Sequence, residues 1–228
     1  MAVPGPRRAR KKRVALSEAA IVEAALRVLK RSGLDAVTMR AVADELDTGA
    51  ASLYVYVKGR DDLLGLMFDE VAGMIDWPKP DPTRWREQIV ALSLEMLETL
   101  EAFPGIASLG LGNVLPMGAN AMDGAEAFFA LLLASGAEPQ RAAWASDTLF
   151  LIISANAVET MIRAESAASG GPGAPLETLS EEFAQLDPER YPNVERFAKE
   201  LAGGVGRERF LFSVETLLDG LVAKPTGA

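Results

Sequence analysis

The sequence contains no cysteine and no histidine. The first absence excludes disulfides, thiolate zinc sites and thiol catalysis together. The second removes the commonest general base and the commonest metal ligand. Apolar runs such as "LFLIISANAV" are short and broken by polar residues, so no stretch approaches the roughly 20 apolar residues of a membrane span. The opening "MAVPGPRRARKKRVALSEAA" is charged and has no apolar core, which argues against a secretory signal. With 49% hydrophobic residues in 228, a sizeable core can still be buried. These features predict a cytoplasmic protein without metal or cofactor, and not an enzyme.

What is present is an uneven distribution of charge. The net charge of -9 disguises a split. Residues 1–60 carry 12 Lys+Arg against 6 Asp+Glu, a net of +6, while residues 61–228 carry 11 against 26, a net of -15. A basic segment on an acidic body is the asymmetry of a small DNA-reading domain on a regulatory one. The run Arg7–Arg13 alone would fit a basic tail on an acidic globule, so the pattern that follows has to decide.

That pattern is helical. Ser17 is placed to cap a helix to Arg31, in which Ile21, Ala24, Ala25, Val28 and Leu29 share one face. Ser32-Gly33 ends it, and Leu34 and Val37 plug a short connection. Thr38 can cap a second helix with an apolar face of Met39, Val42, Ala43 and Leu46. Asp47-Thr48-Gly49 makes a turn, and a third helix is expected from about Ala50 to Val57, with Leu53 and Val57 facing inward. Two short helices joined by a tight glycine-bearing turn form a helix-turn-helix. Its second helix enters the major groove with its N-terminal residues against base edges. Gly49, Ala50 and Ala51 are small enough for close approach. Ser52 can bond bases or phosphates, and Tyr54, Tyr56 and Lys58 can reach the phosphate backbone.

The set Gly33-Leu34, Thr38-Met39-Arg40, Ala43-Asp44-Glu45-Leu46 and Leu53-Tyr54-Val55-Tyr56-Val57-Lys58-Gly59-Arg60 resembles the N-terminal domain of TetR-family transcription regulators over about fifty residues. Two positions depart from the family pattern: Asp47 stands where a glycine is usual, and Tyr56 where a histidine is usual. The resemblance implies that Arg40 reaches a base, by its fork to guanine, and that Thr38, Tyr54, Tyr56, Lys58 and Arg60 anchor phosphates. The plainer alternatives are a packed Tyr54 and a solvated Arg40.

Beyond residue 61 the periodicity is helical throughout: Asp62 to about Trp77, Pro82–Phe103, Gly105–Leu111, Asp123–Ser135, Pro139–Glu165, Ser180–Leu186, Tyr191–Ala202 and Arg207–Ala223. Ser166–Glu177 reads as a glycine- and proline-rich loop. The fragments "WREQI", "SGAEPQRA", "DPERYPN" and "RFLFSVETLLDGL" are similar to the tetracycline-repressor-like C-terminal domain. That resemblance implies a helical body that dimerises through two C-terminal helices and holds a ligand between the others. The stripe Phe210, Val214, Leu217, Leu218 and Leu221 is then a candidate dimer face, with core packing inside one subunit as the alternative. Trp85, Leu92, Met96, Phe103, Met117, Phe128, Trp144 and Phe150 are candidate pocket walls. Ser154 and Asn156 interrupt an apolar run and need partners if buried. Asn156 is a candidate ligand contact, a subunit contact or a backbone cap. Tetracycline-magnesium repressors use histidines to reach drug and metal, so that ligand chemistry does not suit this chain.

The expected fold is all-α, with a disordered basic arm (1–15), a helix-turn-helix domain (16–61) and a helical effector-binding and dimerisation domain (62–228). The expected function is a homodimeric regulator of a palindromic double-stranded operator, most simply a repressor released by a small apolar organic effector. A ligand-independent or activating regulator is the alternative. No membrane is expected as a partner.

Overall fold

The computed structural model describes residues 15–111, 118–169, 176–204 and 206–222. Met117 and the Arg7–Arg13 arm therefore lie outside the described residues. Every regular element among the described residues is helical, as the periodicity predicts.

Helix α1 (Glu18–Ser32) starts where Ser17 accepts a hydrogen bond from the Ala20 amide at 3.2 Å. It ends at Gly33, which takes a positive φ of 79° while its amide bonds Leu29 O. A 3-10 turn, Leu34–Ala36, leads to Thr38, whose hydroxyl caps α2 (Met39–Glu45) by accepting from the Ala41 amide. Helix α3 (Ala50–Leu53) is shorter than its pattern suggests, because the chain turns at Tyr54–Tyr56. The predicted inner faces meet. Ile21, Ala24, Ala25, Val28, Leu29, Val42, Ala43, Leu53 and Val57 are buried. Between α2 and α3, Asp47 takes φ 52°, the one positive φ of a non-glycine among the described residues. It stands where the resembled pattern has glycine. An aspartate tolerates the left-handed region better than most side chains. Glu45 closes the head from outside by accepting bonds from Arg27 and Arg31 of α1.

Helix α4 (Arg60–Ala72) starts two residues earlier and stops five residues sooner than the sequence suggests. The body follows as α5 (Trp85–Glu101), α6 (Ile106–Gly110), α7 (Ala119–Ala134), α8 (Pro139–Ala168), α9 (Leu176–Ala184), α10 (Pro192–Arg196), α11 (Ala198–Ala202) and α12 (Arg207–Val222). The predicted Tyr191–Ala202 helix is two helices broken at Phe197. The expected loop from Ser166 begins only after Ala168. Helices α9 to α11 pack mainly on one another, whereas α8 is the spine on which α5, α6, α7 and α12 assemble. At 30 residues, with a mean hydropathy of 1.2 in its most apolar window, α8 is long and apolar enough to cross a membrane. The short-run reading of the sequence missed this. Its apolar residues Leu149, Ile153 and Ala157 are buried against the helices around it.

Candidate nucleic-acid interface and effector cavity

Most of the polar residues that the motif singles out in the helix-turn-helix are exposed. Arg40 on α2 is exposed, as are Ala51 and Ser52 on α3. Ala50 is half-buried against the core. Tyr54 and Tyr56 are 56% and 40% exposed, so neither is the packed aromatic of the plainer reading. Val55 between them is 80% exposed, a large apolar side chain on this surface that the motif left unassigned. Leu53 and Val57 point the other way and anchor the segment. The arrangement follows from burying one residue in four along a short helix while leaving the remainder to solvent. Thr38 is exposed but already caps α2. Lys58 extends outward, and its backbone amide is fixed by Asp62 Oδ2 at 2.8 Å.

Arg60 departs from the expected role. Its guanidinium donates to Val37 O at 2.8 Å and to Leu34 O at 3.2 Å, and the group is half-buried. Rather than extending toward a phosphate, it pins the start of α4 to the connection between α1 and α2. The sequence motif could not reveal this, because both acceptors are backbone atoms more than twenty residues away.

Two further contacts join head to body. Lys30 Nζ sits 3.9 Å from the centre of the Phe103 ring. Gly105, with φ 91°, packs against Leu34 so closely that an added Cβ would lie 3.0 Å from Leu34 Cβ. Phe103 is thus buried under a head lysine and lines no cavity described here.

The body holds an apolar cavity of about 610 Å³ between α4, α5, α6, α7 and α8. Of the predicted walls, Met96, Phe128 and Phe150 line it. Phe68, Trp77 and Leu109 join them unanticipated. Two helical glycines shape the walls. A Cβ at Gly124 would fall 2.5 Å from the Trp77 indole, and one at Gly110 would fall 2.7 Å from the Phe150 ring. Glycine inside an apolar helix is the signal that could have found these ring seats. Trp144 is not a wall: it is 67% exposed on the outer face of α8. Leu92 is buried in the core and Trp85 half-buried at the start of α5.

Asn156 also falls outside the apolar cavity. Its Nδ2 donates to Ile152 O one turn back at 2.8 Å. It lines a separate, polar cleft of about 340 Å³ with Glu101, Arg163 and Arg207. This is the backbone-capping alternative, produced by i to i-4 bonding along a helix. Ser154 is fully buried and its hydroxyl finds no partner among the described residues.

The C-terminal stripe resolves in favour of core packing. Phe210, Val214, Leu218 and Leu221 are at most 5% exposed within the single chain, and Leu217 is half-buried. They face α5 and α8. The large apolar residues left open on these two helices are Trp144, Leu151 and Ile162 of α8 and Phe212 and Val222 of α12, Phe212 being 72% exposed. Arg141 of α8 clasps the end of α12 by donating to Leu221 O and Gly220 O.

Comparison with known proteins agrees with this architecture. Residues 21–67 match the family described as bacterial regulatory proteins, tetR family, and residues 77–224 match the tetracyclin repressor-like C-terminal domain. An HTH-type transcriptional regulator of Saccharopolyspora erythraea is 36% identical over 121 residues, covering 53% of this chain. That match spans about half (51%) of the relative's length. Apo ActR from Streptomyces coelicolor superimposes with a TM-score of 0.82 at 32% identity, covering 92% of this chain and 96% of that one. ActR in complex with actinorhodin gives 0.82 at 33% identity, with the same coverage of both chains. A helix-turn-helix head, a helical body built on one long spine and matches along nearly the whole chain lead to one assignment: the protein belongs to the tetR family of bacterial regulatory proteins.

Proposed function

We propose that the chain is a DNA-binding transcriptional repressor that leaves its operator when a small, mostly apolar organic molecule enters the body. One observation carries the reading. Exposed groups suited to DNA stand on a helix-turn-helix whose next helix, α4, walls a cavity of about 610 Å³. In this reading Arg40 and Ser52 reach base edges, Ala50 and Ala51 permit close approach, and Thr38, Tyr54, Tyr56 and Lys58 hold phosphates. Residues 16–61 act as the reading domain and 62–228 as the effector and dimerisation domain. Arg7–Arg13 adds sequence-independent attraction. A relative of the same fold that holds an organic ligand supports the effector role of the cavity.

The working unit is a homodimer on a palindromic site, because one short helix reads only a few base pairs and two-fold symmetry doubles them. The exposed apolar residues of α8 and α12 supply a four-helix contact between subunits. The protein acts in the cytoplasm and catalyses nothing.

Binding-site selection with two variants tests the DNA assignment. Arg40→Ala is expected to cost about 1–3 kcal/mol and relax preference at one base pair. Lys58→Ala is expected to weaken all sequences alike. An Arg40→Ala protein that keeps the wild-type preference would remove Arg40 from the base edge.

A further inference from the structure

The cavity is apolar except at one edge. Four aromatic residues, Phe68, Trp77, Phe128 and Phe150, contribute to its wall, while Ser146 and Asp147 are its hydroxyl and its carboxylate. Among the described residues, no lysine or arginine lines it. Asp147 is exposed while lining the cavity, which places it at the mouth. Its carboxylate makes no hydrogen bond or ion pair with another described residue. Phe150 follows three residues later on α8, so carboxylate and ring occupy neighbouring turns of one face.

On this basis, which rests on the cavity being the effector site, we propose that the effector is a lipophilic molecule bearing a protonated amine, with Asp147 as its counter-charge. Three chemistries compete. An acidic ligand would bring a second negative charge against Asp147, with no lysine or arginine among the described lining residues to neutralise either. A neutral ligand that covers the mouth would strip water from the carboxylate and return no charge, which is costly. An ammonium compensates the carboxylate while the apolar remainder keeps the aromatic wall covered. The apolar remainder of such a molecule fills the space toward Met96 and Leu100.

Three fluorescent probes of one shape distinguish these cases: 9-(aminomethyl)anthracene, 9-anthracenemethanol and anthracene-9-carboxylate. Titration into the full-length protein is expected to show the amine bound tighter than the alcohol by about tenfold, the lower range for a charge-assisted hydrogen bond. The carboxylate is expected to bind weakest. Asp147→Asn is expected to abolish the amine's advantage and leave the alcohol within about twofold. Asp147→Lys is expected to reverse the order of amine and carboxylate. Circular dichroism confirms that each variant remains folded. Equal affinity of the wild type for amine and alcohol, or an amine preference that survives Asp147→Asn, overturns the proposal. A control separates this from failure of the cavity reading itself. Ala72→Phe, at a half-buried wall position on α4, narrows the cavity and is expected to weaken all three probes. Unchanged binding there would show that the probes sit elsewhere, and both readings would fall.

Discussion

Replacing Arg60 by alanine separates a structural clasp from a phosphate contact. The wild-type guanidinium makes two charge-assisted bonds to the carbonyls of Val37 and Leu34, at 2.8 and 3.2 Å. A hydrogen bond with a charged partner contributes about 1.5–3 kcal/mol when buried. The group is only half-buried and the longer bond is the weaker, so each contributes less than that range, about 1 kcal/mol. Water can also reach the freed carbonyls in part. The expected loss is about 2 kcal/mol of stability, measured by urea denaturation at fixed m-value. Arg60→Lys is expected to restore less than half of it, because an ammonium lacks the planar fork that spans both carbonyls. Operator binding, measured where wild type and variants are both folded, provides the second readout. A phosphate contact contributes about -0.9 to the slope of log affinity against log salt. If Arg60 is a clasp, that slope stays unchanged in Arg60→Ala. Unchanged stability together with a flatter slope would refute the reasoning and return Arg60 to the phosphate set.

Asp47, at φ 52°, gives a backbone test: Asp47→Val is expected to cost about 1–2 kcal/mol in the left-handed region. Asp47→Gly is expected to be neutral or stabilising by up to about 1 kcal/mol, with relief of strain opposed by a more flexible unfolded chain. Thermal melts of both variants check the sign. Glu45 is held below its ordinary value of 4.5, first by the hydrogen bond from Arg31 and then by that from Arg27. A lowered carboxylate contributes stability above its unfolded value and loses it as pH falls through the folded one. Glu45→Gln is therefore expected to cost about 1 kcal/mol at neutral pH and less near pH 3, given that the pairs are solvent-screened. Denaturation at the two pH values decides it. The double variant Trp144→Glu, Phe212→Glu is expected to sediment as a monomer with its helicity intact and to lose tight binding to a palindromic operator. A dimer that survives would place the subunit contact elsewhere.

The head's caps and inner faces were legible because their signals are local. Ser17 and Thr38 cap the helices that follow them, and Leu53 and Val57 turn inward as their spacing requires. The same locality limits what the motif can tell. Arg60 reads as one more cation in a basic run, yet its partners lie at Leu34 and Val37. In the body, hydrophobic spacing identified which helices exist but not what their faces meet. The stripe from Phe210 to Leu221 has the same periodicity whether it packs on α8 of its own chain or on a neighbour, and here it packs on its own. Asn156 stood out as a polar residue in an apolar run, but a carboxamide on a helix can satisfy itself on the previous turn. The cavity was half legible. Its aromatic walls are common residues, and what makes it a cavity is the meeting of five helices and the two glycines that seat Trp77 and Phe150.

Helix α6 gives that cavity a mechanical connection to the head. It has only five residues, Ile106–Gly110. Leu109 and Gly110 at one end line the cavity, and Gly105 before the other end lies against Leu34. Leu34 O is also the acceptor that Arg60 holds, and Lys30, just before it in α1, covers Phe103. A helix this short has no interior to absorb a shift, since close-packed cores repack rather than stretch. A ligand pressing on Leu109 would therefore bear on Leu34 and, through Arg60, on the start of α4. For operator release the ligand must bind one head position better than the other, and equal affinity for both would shift nothing. Of the head–body joints, the Leu34–Gly105 contact leaves no free space for an added Cβ at Gly105, so any shift of the head there must be met by repacking.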